Sequence, residues 1–470
     1  MKDLFSVDQF AIPGSVAPAS TLNLAARSNI PNRLERLPMT GYQRRIFAII
    51  ASAWLVDQVD VALLTFLLGT IVVAFGLSPM QAGLLASMTF AGQLVGNIAA
   101  GLAADRYGRR TVFQVTMVVW GLASFLAAGA WSAGTLMFCR LLIGVGVGGE
   151  APVAQAMVSE LVPANVRGKY IAFMEGFWAV GYVISGAISF FILPYLSWRW
   201  VFVVVGSLSL VVLLVRRGMP ESPRWLAECG RFDEANAVMQ HMESEVERRI
   251  GRPLPPPAMF KMQPHPAHSS SLATVFSREY AKRTTMAFGL WFFALIGFFG
   301  LNSWIAILLR EHGLTIIGSV GFVTLITTGG IPGFFTAAWM LERVGRKPAT
   351  ALFLLASAAA AWMYGNSTDQ SVLFASGFVM QFFMFGMWSC LYAYTPELYP
   401  TRARSTGAGL ASAAGRLGAI LGPIVVPMLV RVGGQAAAFE VGAAGFVIAA
   451  MLVLTLGVET RGKALEAVSA

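Results

Sequence analysis

From Ile46 onward, long apolar runs alternate with short polar punctuation, and the pattern occurs twelve times. A hydrocarbon layer about 30 Å thick needs about 20 helical residues to cross it. The runs 46–74, 81–103, 111–130, 133–159, 168–193, 199–215, 284–309, 317–340, 348–364, 371–395, 405–430 and 437–457 meet that requirement and are numbered spans 1 to 12. Gly and Pro fall inside several of them, as membrane helices tolerate. The expected fold class is an all-α membrane protein with twelve transmembrane helices in two pseudo-symmetric six-helix bundles, residues 46–215 and 284–457. A tail (1–45), a polar central segment (216–283) and a C-terminal tail (458–470) complete the domain plan. In the central segment Ala235, Val238, Met239, Met242 and Val246 stand at helical spacing and predict a short amphipathic helix. Pro253 to Ser271 is expected to be a flexible link. Residues 1 to about 38 are rich in Ser, Ala, Pro and Asn without a signal-length apolar run, which predicts a mobile tail and no cleaved signal.

Composition agrees with a bilayer. The chain has 470 residues, 56% of them hydrophobic and 12% charged, with a mean hydropathy of +0.66. Soluble domains carry about 25% charged residues, so a water-soluble globular class is excluded. The net charge of +10 invites a nucleic-acid reading until the charges are placed. With both termini in the cytoplasm, 29 of the 34 Lys and Arg fall on the cytoplasmic side, and only Arg199, Arg310 and Arg431 fall outside. That bias obeys the positive-inside rule. It predicts a multi-pass protein of the plasma (inner) membrane, embedded in the lipid bilayer, with no nucleic-acid partner. Cys139, Cys229 and Cys390 make neither a disulfide framework nor a metal-ligand spacing, so neither cofactor nor metal is expected. An enzyme is not expected either, since there is no nucleophile elbow or phosphate loop, and Gly144 to Gly149 lie inside an apolar run.

An internal repeat supports the two bundles. Asp105-Arg106-Tyr107-Gly108-Arg109-Arg110 recurs as Glu342-Arg343-Val344-Gly345-Arg346-Lys347, and Glu160-Leu161-Val162-Pro163 with Arg167 recurs as Glu397-Leu398-Tyr399-Pro400 with Arg404. Both pairs are displaced by 237 residues. Parallel halves with a site between them are a transporter architecture. From about residue 40 to 463 the chain resembles the major facilitator superfamily. The resemblance is carried by Gly101 to Arg110, by Arg140-x-x-x-Gly144-x-Gly146, by Pro220-Glu221-Ser222-Pro223-Arg224 and by Glu459-Thr460-Arg461-Gly462. Asp105, Arg109, Glu160, Arg167, Glu342, Arg346, Glu397 and Arg404 then read as a cytoplasmic gate whose ion pairs change between conformations. The plainer reading is a set of interfacial charges.

Charged groups inside spans carry more information, because each costs at least ~2.5 kcal/mol at the bilayer centre. Those more than one turn from a span end are Asp57 and Asp60 (span 1), Arg140 and Glu150 (span 4), Glu175 (span 5) and Arg416 (span 11). Counting the helical rise from the cytoplasmic ends puts Asp57, Glu150 and Arg416 about 15–18 Å deep. Asp57 and Asp60 share one helix face, and with Arg140 nearby they form a candidate proton-coupling group to which Glu150 is added. The other reading is a fixed Asp–Arg pair. Their spacing resembles the acidic motif of aromatic acid:proton symporters, with Gln58 where that family usually has Gly.

Arg416 stands among small residues, and its guanidinium fork suits a carboxylate. That carboxylate is either the substrate's or an internal one such as Glu175. Phe177 and Trp178 in span 5 and Trp388 and Tyr392 in span 10 lie at similar depth, with Asn302 in span 7 nearer the outside. Trp178 and Trp388 belong to opposite halves, so both facing inward would hold a flat ring by offset stacking. This arrangement is similar to the niacin transporter and synaptic-vesicle glycoprotein 2 branch, where an aromatic residue from each half flanks the ligand and a basic residue occupies the place of Arg416. The resemblance implies import of a small aromatic monocarboxylate, nicotinate above all, by proton-coupled alternating access in a monomer. Substrate-binding residues are then Trp178, Trp388, Arg416, Tyr392, Phe177, Asn302 and Glu175. Two alternatives stand beside this: a sugar or polyol:proton symporter, for which span 7 lacks paired Gln residues, and a ligand sensor that does not cycle.

Overall fold

A computed structural model describes residues 30–216, 219–257, 271–400 and 403–461. Most of the expected N-terminal tail, most of the Pro253–Ser271 link and most of the C-terminal tail lie outside the described residues. The described residues are helical with no strand. Ten helices are long and apolar enough to cross a membrane. Spans 1 to 5 are Gly41–Phe75, Pro79–Tyr107, Arg109–Ala128, Ala133–Leu161 and Ala164–Ile192, and span 6 is the shorter Trp198–Arg216. Spans 7 to 10 are Ala281–Leu308, Ile316–Arg343, Arg346–Gly365 and Gln370–Glu397. Spans 11 and 12 are two helices within Arg404–Leu456, separated by non-helical backbone at Gly433 and Gly434. The φ of Gly434 is +68°, a left-handed turn that glycine adopts without a Cβ penalty.

Span 1 begins five residues earlier than its apolar run because Thr40 and Gln43 form a capping box. Spans 2 and 4 meet through glycines: a Cβ on Gly144 would strike the Thr89 carbonyl, and one on Gly92 the Leu141 carbonyl. Small residues four apart on both helices permit this close backbone approach.

The two halves meet along spans 1 and 7, 2 and 11, and 5 and 8. One face of the bundle carries segment 30–37, the central helices and Glu459, and is termed the terminal face. Away from it the seam is shut. Gly83 abuts the Pro423 carbonyl, Gly186 lies under Thr324, and Gly321 lies under Phe190. Ser87 Oγ donates to the Ile420 carbonyl at 2.6 Å.

The central segment forms a helix at Phe232–Ile250 that buries Ala235, Met239, Met242 and Val246, as the spacing predicts. Residues 30–37 depart from the expected mobile tail. They form a helical turn and bury Ile30, Leu34 and Leu37, whose helical spacing a Ser/Pro-rich composition conceals. Arg33 and Arg36 bond Glu243 at 2.7 and 2.6 Å, while Glu35 bonds Arg167 and Arg224 at 3.1 and 2.7 Å. Burial raises the carboxyl pKa of Glu243, but Arg33 and Arg36 outweigh it and hold it below the usual range. This contribution is present above the ordinary carboxylate value and is lost as pH falls through the lowered one. Glu243→Gln is expected to weaken docking by about 2 kcal/mol. Hydrogen exchange across residues 30–37 should then quicken roughly thirtyfold; unchanged protection would contradict these contacts.

Candidate functional site

Between them the two halves present one indole each. Trp178 from span 5 and Trp388 from span 10 stack directly, ring centroids 4.4 Å apart and planes 25° apart. Both are buried. Phe299 closes one side at 6.3 Å from Trp178 and 6.0 Å from Trp388, and Phe298 meets Trp388 edge-on at 5.4 Å. Tyr392 stacks on Trp388 at 5.9 Å, and Trp291 stands edge-on to both. A ring held between the two indoles needs them about 7 Å apart, two stacking contacts of about 3.5 Å. The pair is therefore closed on itself in this conformation. Trp388 Nε1 is a buried donor with no acceptor, whereas a buried indole N–H usually finds one.

Arg416 enters the same region from span 11. Gly415 beside it leaves room for Trp291. Its Nη1 donates to Gln93 Oε1 of span 2 at 2.5 Å, across the seam, and its buried Nε has no partner. No carboxylate forms an ion pair with it among the described residues. The Glu175 carboxylate lies within range of the Arg416 charge. Glu175 Oε1 accepts from Gln155 Nε2 at 2.9 Å, and its buried Oε2 has no partner. Glu175 stands one turn before Trp178 on span 5, and Gly415 beside Arg416 packs on Trp291, which meets Trp388 edge-on.

The remaining residues are placed elsewhere. Phe177 packs on Phe173 at 5.4 Å. Asn302 is used within the C-terminal half, accepting from Gln381 at 2.9 Å and donating to the Phe298 carbonyl at 3.0 Å. Asp60 and Arg140 form a fully buried pair at 2.7 Å, supported by Ser124 on Asp60 and Thr89 on Arg140. Asp57 is buried one turn away on span 1. Glu150 is not part of that pair; it accepts from Trp120 Nε1 at 3.0 Å.

Six of the eight loop charges form two matching clusters, one at the terminal face of each half. Arg109 contacts Asp105 at 2.8 Å and Glu160 at 3.7 Å; Arg346 contacts Glu342 and Glu397, both at 3.0 Å. Arg167 turns to Glu35, and Arg404 starts span 11. Two further carboxylates cap the following helices. Glu221 accepts the backbone N–H of Arg110, and Glu459 accepts those of Arg346 and Lys347. A carboxylate at a helix N-terminus is favourable for the unpaired N–H groups and the dipole there. All these clusters tie helix ends within one half.

Gln93 and Gln155 carry site contacts that a search for intramembrane charges misses. Their signal is a primary amide in an otherwise apolar face, which is weaker because an amide is cheaper to bury than a charge.

Residues 50–365 and 292–469 match the Major Facilitator Superfamily. The chain is 33% identical to the niacin transporter NiaP of Acinetobacter baylyi, over 94% of this chain and 99% of that one. It is 31% identical to a putative niacin/nicotinamide transporter NiaP of Bacillus subtilis, over 90% and 98%. A solved D-xylose-proton symporter shares the fold at a TM-score of 0.71, 18% identity and coverage of 90% and 100%. Two repeated halves, matching loop clusters and these likenesses lead to one assignment: the chain is a multi-pass membrane transporter for a small molecule and belongs to the Major Facilitator Superfamily.

Proposed function

We propose that this transporter imports a small aromatic monocarboxylate, nicotinate first among them, by proton-coupled alternating access, with the terminal face in the cytoplasm. The observation that carries the reading is a buried guanidinium without a carboxylate partner beside two indoles from opposite halves. Separating the indoles admits a flat ring, and Arg416 then meets its carboxylate, exchanging a neutral acceptor, the Gln93 amide, for an anionic one that can take two bonds. The two relatives named for niacin support the same ligand. The loop clusters act as a gate by keeping each half rigid as the halves rock, with the opposite face shut in the present conformation.

The test is equilibrium binding to purified protein of nicotinate, nicotinamide, benzoate and glucose. Nicotinate and benzoate are expected to bind at least about tenfold more tightly than nicotinamide, because a charged hydrogen bond is worth roughly twice a neutral one. Equal affinity for nicotinamide removes the carboxylate role from Arg416, and tight glucose binding alone favours the sugar alternative.

A further inference from the structure

We propose that Glu175 carries the proton that accompanies each substrate carboxylate, because Glu175 and Arg416 are a buried carboxylate and a buried cation on opposite halves of the moving seam. The proposal rests on the carboxylate reading above and adds to it the residue that couples transport to protons.

Three observations converge. Glu175 belongs to the N-terminal half and Arg416 to the C-terminal half, so rocking of the halves changes their separation. Each is buried and keeps one polar atom without a partner, Glu175 Oε2 and Arg416 Nε. Their charges act on one another without a direct ion pair among the described residues. Asp60 and Arg140 differ on the first point. Both lie in the N-terminal half and are closed at 2.7 Å, and a rigid-body rotation leaves that distance unchanged.

The elements packed on span 5 also bear Arg44, Arg45, Asp57 and Asp60 on span 1, Arg140, Glu150 and Glu160 on span 4, Arg199 on span 6, Glu342 and Arg343 at the end of span 8 and Glu397 at the end of span 10. The charged group whose field reaches Glu175 is Arg416 of span 11.

The charge balance sets the stoichiometry. With Glu175 ionised and Arg416 charged, the empty site is neutral. A substrate carboxylate adds one negative charge to a space sealed from water, which is costly to leave uncompensated. One proton taken from water onto Glu175 restores neutrality. When substrate leaves on the other side, Arg416 again favours the ionised carboxylate, and the proton returns to water there. One proton is therefore carried per substrate anion, with no bond made or broken other than the carboxyl O–H.

The experiment is a binding titration of nicotinate and benzoate from pH 5 to 8 in the wild-type protein, Glu175→Gln and Glu175→Asp. In the wild type, Kd is expected to rise about tenfold per pH unit above the titration of Glu175, since binding takes up one proton. Glu175→Gln is expected to flatten this slope, and Glu175→Asp to keep it with a displaced midpoint. A slope that survives in Glu175→Gln overturns the assignment, as does one lost in Asp57→Asn and retained in Glu175→Gln. Failure of the wild type to bind either acid overturns the carboxylate reading and this proposal together.

Discussion

Arg140→Ala is expected to cost about 3–5 kcal/mol of stability, because it leaves the Asp60 carboxylate buried without its cation. Neither side chain is exposed to any measurable extent, so water cannot replace the lost guanidinium. Thr89 would also lose its bond to Arg140 Nε. The check is thermal unfolding in detergent of Arg140→Ala, Asp60→Leu and the double variant. Removing both partners is expected to recover most of the loss, since the pair's desolvation is then avoided as well. A double variant as unstable as Arg140→Ala would contradict this account. Because both residues belong to one half, the double variant is also expected to keep the pH slope of nicotinate binding.

The second large effect falls on the ligand. Arg416→Ala is expected to weaken nicotinate binding by about 100- to 1,000-fold, the worth of two charge-assisted hydrogen bonds at about 1.5–3 kcal/mol each less what they already give to Gln93. Nicotinamide binding should change by less than about threefold, since its neutral carbonyl only takes the place of the Gln93 amide on the guanidinium and forms no ion pair. Competition binding with both ligands measures the two effects side by side. Arg416→Lys should fall between them, because a point charge lacks the planar fork. Equal losses for nicotinate and nicotinamide would mean that Arg416 supports packing and does not read the carboxylate.

How much of this was legible depends on what each feature costs in a membrane. The twelve spans follow from apolar length alone, and the break at Gly433–Gly434 falls in the short gap between the last two runs. The Asp60–Arg140 pair was visible because a buried charge requires a partner and depth counting put the two within reach. The stacking partners Trp178 and Trp388 emerged from their common depth. Their direct contact at 4.4 Å did not, because it belongs to a conformation and not to a composition. Glu150 shared the depth of other candidates and Asn302 lay nearer the outside, yet each bonds a neighbour in its own half; depth does not fix the angle at which a side chain leaves its helix. Residues 30–37 look like tail by composition and are held by three apolar side chains and a run of ion pairs to distant segments. The loop charges were legible as a repeat, but only the structure shows that each cluster stays within one half.

The most direct measurement is an experimental structure of the carrier with nicotinate bound. The account predicts that Trp178 and Trp388, 4.4 Å apart without ligand, open to about 7 Å around the pyridine ring, with the carboxylate within about 3 Å of the Arg416 guanidinium. A complex in which the indoles remain stacked on one another and nicotinate binds elsewhere would contradict it.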